Sequence, residues 1–433
     1  MTVNRTIQPQ IKTDFKLSLM PHEKHVFSNG CTLFNFPYDT LPACKIDFIF
    51  PAGKKHQKAP LISNYTGKML LEGTHSMTQE QIASEIDFMG ASLGTIVNED
   101  HAHIASLTLN RNVPEILNLI HHVLTESLFP NEQLRVLAES DKQDFLVNNE
   151  RVNVIAHKNL FKAIFSDSHP FGRFAEKSDY DTITSDNLKD FFSSHYDMSK
   201  CTIVWTGTME AGHLQLLETL FGNLQLSNST VSSDFNVDIP SNQPLRKNFN
   251  KDGASQSAIY LGRIFPTLTH KDHFPLTIVS TILGGYFGSR LMKNIREEKG
   301  YTYGIGSAII PYQDLSVFLI ASQVKAEYTE ETITEIKNEI HRLQNDPLPP
   351  EELELVKNYV TGTLMKNLDG PFAQSKFHTL AFQHGVEPEF YLKNISDSIK
   401  QIDQKTILQL TNMYLSTDQL FYSVAGKLKK IKK

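Results

Sequence analysis

The strongest constraint on this chain is that it repeats itself. Tyr196 followed by Thr202-Ile203-Val204-Trp205-Thr206-Gly207 is answered, 218 to 219 residues on, by Tyr414 followed by Phe421-Tyr422-Ser423-Val424-Ala425-Gly426. Leu134 and Leu353, each shortly after a proline and an acidic residue, are again 219 apart. In a chain of 433 residues that offset is half the length, far too long for a solenoid unit and suited to a duplicated domain. A single compact core does not hold a chain of this size either, so length and repeat agree on two domains.

The local pattern gives the class of domain. Alternating Ile46, Phe48 and Phe50 read as a strand stopped by Pro51-Ala52-Gly53, and a helix is expected from about Pro60 to Glu72. Thr78-Gln79-Glu80-Gln81 has the form of a capping box, opening a helix with Ile82, Ile86 and Met89 on its apolar face. Strands follow around Leu93 to Val97 and His103 to Leu109. Pro114 sits where a first helical residue is tolerated, and Ile116, Ile120, Val123 and Leu124 keep a helical period until Phe129-Pro130. The second half replays this with strands at Ala258 to Gly262 and Ser316 to Val324, then a helix carrying Ile333, Ile336, Ile340 and Leu343 as far as Asp346-Pro347. The stretch from Asn228 to Gln243 is rich in Ser, Asn, Asp and Pro and reads as a linker. The expected fold is α+β: two homologous tandem domains, residues 1–228 and 244–433, joined by a linker over 229–243. Each is expected to be a mixed, mainly antiparallel sheet packed with helices.

Charge and cysteine usage narrow the function classes. Lys+Arg of 42 against Asp+Glu of 48 leaves a net charge of −6, and the only basic run is at the very end, so a phosphate-backbone partner has no electrostatic support. No apolar run approaches the roughly eighteen residues of a membrane helix, and Met1 to Phe27 has no signal-peptide character. Cys31, Cys44 and Cys201 fit neither a disulfide framework nor a metal-binding spacing, which points to a reducing, cytoplasmic setting.

Several segments carry a resemblance. They are Met69-Leu70-Leu71-Glu72-Gly73-Thr74, Phe88-Met89-Gly90-Ala91, Ser168-His169-Pro170-Phe171-Gly172, and Leu283 to Leu291 leading into Ile295-Arg296-Glu297-Glu298-Lys299-Gly300-Tyr301-Thr302-Tyr303. Together with the duplication they resemble the pitrilysin, insulysin and mitochondrial processing peptidase family of zinc peptidases over nearly the whole chain. The resemblance implies an H-x-x-E-H motif on the first helix of the amino-terminal domain. Two imidazoles on one helix face grip the metal, and a carboxylate beside them takes the proton of the bound water. Here Asn64 and Lys68 stand for the two His, and Gly67 for the Glu base. A protonated Lys cannot ligate, and Gly has no group to accept a proton. The family's third ligand, a Glu, is expected to fall close to Asn148. None of the 17 histidines belongs to H-x-x-E-H or H-E-x-x-H. His22-Glu23-Lys24-His25 is one residue short, while His101, His103, the pair His121-His122, His270 and His273 read as ordinary core or surface histidines.

The second half keeps what the first has lost. The resemblance assigns Arg296 and Tyr303 to holding the substrate carbonyl, where a cation and a hydroxyl donor stabilise the developing oxyanion. The plainer alternative is that Arg296 pairs with Glu297, Glu298 or another acid, and Tyr303 packs in its sheet. Gly284 to Gly288 lacks a following Gly-Lys-Ser/Thr, so it reads as close helix packing, not a phosphate loop. Some members of the family work as heterodimers, one subunit with the zinc motif and the other with the Arg and Tyr. The resemblance therefore implies a chain that binds no cofactor itself, with zinc in a homologous partner bearing H-x-x-E-H, and an unfolded peptide as substrate. A scaffold or peptide-binding protein of the same fold is the alternative.

Overall fold

A computed structural model describes residues 17–226 and 243–427. All but the last residue of the expected linker lies outside the described residues. The first domain is a six-stranded sheet built from β1 (Glu23–Val26), β2 (Thr32–Phe36), β3 (Ala43–Phe50), β4 (Ser92–Val97), β5 (Ala102–Leu109) and β6 (Thr202–Thr206). Its order is β1-β2-β6-β3-β5-β4, antiparallel except for the β2–β6 pair. Around it run α1 (Ile62–Met69), α2 (Gln79–Phe88), α3 (Val113–Glu126), α4 (Asn131–Asn149), α5 (Val152–Phe165), α6 (Asp179–Thr182), α7 (Ser185–His195) and α8 (Ala211–Leu217). The second domain has β7 (Arg246–Asn250), β8 (Gln256–Phe265), β9 (Thr302–Pro311), β10 (Ser316–Lys325) and β11 (Phe421–Gly426), in the order β7-β11-β8-β10-β9. Again one pair, β7–β11, is parallel. Its helices are α9 (His273–Ser280), α10 (Thr329–Asn345), α11 (Pro350–Asn367), α12 (Pro371–Gln383), α13 (Pro388–Gln401) and α14 (Gln404–Tyr414).

The duplication is visible element by element. α4 and α11, α5 and α12, α7 and α14, and β6 and β11 each begin 219 residues apart. The expected capping box is present, with Gln81 N–H donating to Thr78 Oγ1 at 3.3 Å and Thr78 N–H to Gln81 Oε1 at 2.8 Å. The helix expected from Pro60 to Glu72 is shorter at both ends. Leu61 takes a left-handed φ of 76° at its entry, and Leu70 N–H bonds back to Gly67 O in a tightened last turn.

Each domain covers the other's sheet. On α5, Ala156 sits against Ala258 and Ala425, small residues that let helix and sheet approach closely, while Leu160 and Ile164 pack with Val317, Leu319 and Phe421. The equivalent α12 lies on the first sheet, where Phe382 stacks on Phe34 with ring centroids 4.0 Å apart and His378 meets Phe36 edge-on at 4.7 Å. This is why Phe34, Phe36, Ile49 and Val204, which face away from the first domain's main core, are still buried. A third tie is polar. The tip of the β9–β10 hairpin reaches the first domain, Lys55 Nζ lying 2.6 Å from Gln313 Oε1 and 3.1 Å from Asp100 Oδ1, with Gln313 N–H donating to Asp100 Oδ2 at 3.2 Å. No helix among the described residues is long and apolar enough to cross a membrane.

Candidate functional site

Asn64 and Lys68 stand one turn apart on α1, so they share a face. Lys68 Nζ lies 2.6 Å from Asp141 Oδ2 on α4. Tyr65 is buried beside this pair, and burial first, then the charge of Asp141, raises its phenol above the usual range. Burial also raises the carboxyl of Glu72. Gly67 faces β4, and a Cβ there would lie 3.0 Å from Val97 Cγ2 and 3.5 Å from Thr95 Oγ1. A glycine at 67 thus lets α1 settle onto the edge strand.

The acidic partner of this face is Asp141, and not Asn148. Asn148 is exposed in the last turn of α4, seven residues and about 10 Å along the helix from Asp141. The segment ahead of Ser168 is two helices, parted at Glu150-Arg151, and the one facing Lys68 is the earlier. The residues present do not fit a zinc ion: an amide, a bare backbone, an ammonium group and one carboxylate already held by that ammonium. Among the described residues no three His, Cys, Asp or Glu converge on a point that could hold a metal. His22 belongs instead to an aromatic cluster with Phe34, Phe36, His378 and Phe382, and His103 Nε2 lies 2.9 Å from Gln383 Nε2.

In the second domain Met292–Glu298 is wound as a π-helix. Lys299 N–H donates to Asn294 O, five residues back, and Gly300 takes φ +64° to reverse the chain into β9. Arg296 places its guanidinium over Phe287, 4.3 Å from the ring centroid, and has no carboxylate partner among the described residues. Glu297 and Glu298 do not pair with it. Neighbouring charges are matched elsewhere: Arg290 makes two bonds to Glu352, and Asn294 bonds Glu335 and Glu339. Tyr303 is 92% exposed near the start of β9, and its hydroxyl has no hydrogen-bond partner among the described residues, so the side chain does not pack against the sheet. No hydrogen bond joins Arg296 and Tyr303 to each other or to α1 and α4. Gly284 packs directly on β9, where a Cβ would meet Ser307 N at 2.5 Å, in keeping with the close-packing reading of the glycine-rich stretch.

Residues 182–360 match the family described as peptidase M16 inactive domain. The second half of the chain thus resembles that family, and the relatives and solved structures extend the likeness over most of its length. The chain is similar to an uncharacterized zinc protease of Rickettsia bellii, 24% identical over 404 residues, covering 90% of this chain and 94% of that protein. The uncharacterized zinc protease YmxG of Bacillus subtilis is 20% identical over 354 residues, covering 80% of this chain and 84% of its own. Among solved structures, a peptidase M16 inactive domain from Pseudomonas fluorescens superposes with a TM-score of 0.84 at 19% identity, covering 95% of this chain and 100% of that one. A protease from Helicobacter pylori also gives 0.84, at 16% identity, with 94% and 100% covered. The duplicated α+β architecture is thus the M16 fold.

Proposed function

We propose that this chain is the non-zinc subunit of a two-chain peptidase of the M16 type, lending Arg296 and Tyr303 to the active site of a homologous partner that carries H-x-x-E-H. The observation that carries this reading is the contrast between the two domains. On α1 the cation's place is filled by Lys68 and closed by Asp141, whereas Arg296 lacks an acid and Tyr303 stands free. A guanidinium and a phenol left unpaired can both donate to an oxyanion at a site supplied from outside the chain. The substrate is an unfolded peptide, added as a strand to a free sheet edge, where main-chain bonds give affinity with little sequence choice. β4 is such an edge and lies beside α1. Zinc belongs to the partner and none to this chain. The three buried, free thiols suit a reducing compartment, the cytoplasm.

The test is to purify the chain with its bound partner and measure peptide turnover by the pair. Arg296→Ala or Tyr303→Phe should each cut turnover roughly a hundredfold, the usual cost of one oxyanion donor, with the pair still assembled. Unchanged turnover would remove their role and leave the scaffold or peptide-binding reading.

A further inference from the structure

A second cleft lies beside the closed α1 site, and nothing in the two-subunit reading uses it. It opens between the entry to α1, helix α5 with the segment after it, and the tip of the β9–β10 hairpin, and its volume is about 290 Å³. The wall is aromatic: Phe161, Phe171, Phe174 and Tyr312, with the Phe171 and Tyr312 rings 4.5 Å apart. The rim is polar and carries one positive charge in excess. Lys54 is matched by Glu99 at 3.1 Å. Arg173 bonds only two main-chain carbonyls, Gln57 O at 2.6 Å and Lys58 O at 3.0 Å, and has no carboxylate partner among the described residues. Most of the five donors of its guanidinium are therefore unused. The side-chain amide of Asn64, on the same rim, also has no hydrogen-bond partner among the described residues.

We propose that this cleft binds the carboxy-terminal residue of a peptide whose last side chain is aromatic or large and aliphatic. The volume is at the small end for ligand pockets, which suits one residue better than a folded partner or a large cofactor. Aromatic rings at such spacings receive another ring edge-on or offset, and an aliphatic side chain equally well by burial. The unmatched charge on Arg173 selects an anion over a cation, and the planar fork of its guanidinium fits a carboxylate. Asn64, with a donor and an acceptor, is placed to bond the main chain just before the terminal residue. The site extends the peptide-handling reading but is complete within one chain, since every group comes from residues 54 to 312.

The experiment is calorimetric titration of the purified chain alone with a pentapeptide ending in Phe as the free acid, the same peptide as its carboxy-terminal amide, and N-acetylphenylalanine. The free-acid peptide should bind one per chain, and the amide should bind roughly tenfold or more weakly, the value of a hydrogen-bonded charge. Arg173→Met should weaken the acid to the level of the amide and leave the amide unchanged. Arg173 also ties down the 57–58 segment, so Ala175→Trp, which fills the cleft without breaking any hydrogen bond, is the second variant and should abolish binding of both peptides. Equal affinity for acid and amide, or binding that survives Ala175→Trp, overturns the site. N-acetylphenylalanine binding as tightly as the peptide overturns the assignment to peptides. None of these results bears on Arg296 and Tyr303, whose role is read from turnover by the assembled pair.

Discussion

Lys68 is held on its face of α1 by charge. Its ammonium supplies the positive charge that faces Asp141, and since both side chains keep solvent contact the pair should be worth under about 1 kcal/mol. Lys68→Met should accordingly lower thermal stability only slightly. The geometry makes a sharper forecast for the double change Asn64→His and Lys68→His. It should give a chain that takes up zinc through Asp141, measured by equilibrium dialysis, and adding Asp141→Ala should abolish the uptake. Uptake that depends on Asn148 instead would refute the placement. Restoring the base with Gly67→Glu is harder, because Val97 must give way to any Cβ at 3.0 Å. His378 offers a test by pH. It is fully buried, neither ring nitrogen has a hydrogen-bond partner among the described residues, and burial, aided by the charge of His22, holds its pKa down to about 4 from 6.5. The unfolded chain takes up the proton first, so the stability this residue contributes is intact above about pH 6.5 and is lost as pH falls towards about 4. His378→Leu should flatten the stability profile in that window, as read from urea midpoints at several pH values.

Helices and strands differ in how much of them the sequence discloses. The Thr78 box was legible because it is a local device, complete within a few residues. Thr78→Ala should cost about 1 kcal/mol of stability, the ordinary value of a cap. Asp141 was not legible, because its meaning depends on a helix 73 residues away settling against α1, and no periodicity reports that. The π-winding of Met292–Glu298 was hidden too, since its residues keep an ordinary helical pattern in the sequence. The roles of α5 and α12 were also invisible, since an amphipathic pattern says that a face is buried but not beneath which sheet. The Phe34–Phe382 stack makes the crossing measurable. Phe34→Ala should destabilise the whole protein by about 3 kcal/mol in denaturant titration, although Phe34 contributes nothing to the main core of its own domain.

At the scale of the molecule, the repeat offset pointed to two domains and the local pattern to their class, while the way the halves hold one another had to come from the structure. With α5 seated on the second sheet and α12 on the first, neither domain is closed without its fellow. Unfolding should therefore be a single transition, with fluorescence of the one tryptophan, Trp205, coinciding with far-ultraviolet circular dichroism. Cleavage at a protease site placed between residues 229 and 243 should leave two fragments that elute together from a sizing column. Separate elution would show that the exchanged helices contribute little. The same exchange bears on descent. A half of this chain standing alone would have one sheet face bare and one helix with nothing beneath it, the shape that two identical copies would complete by trading helices.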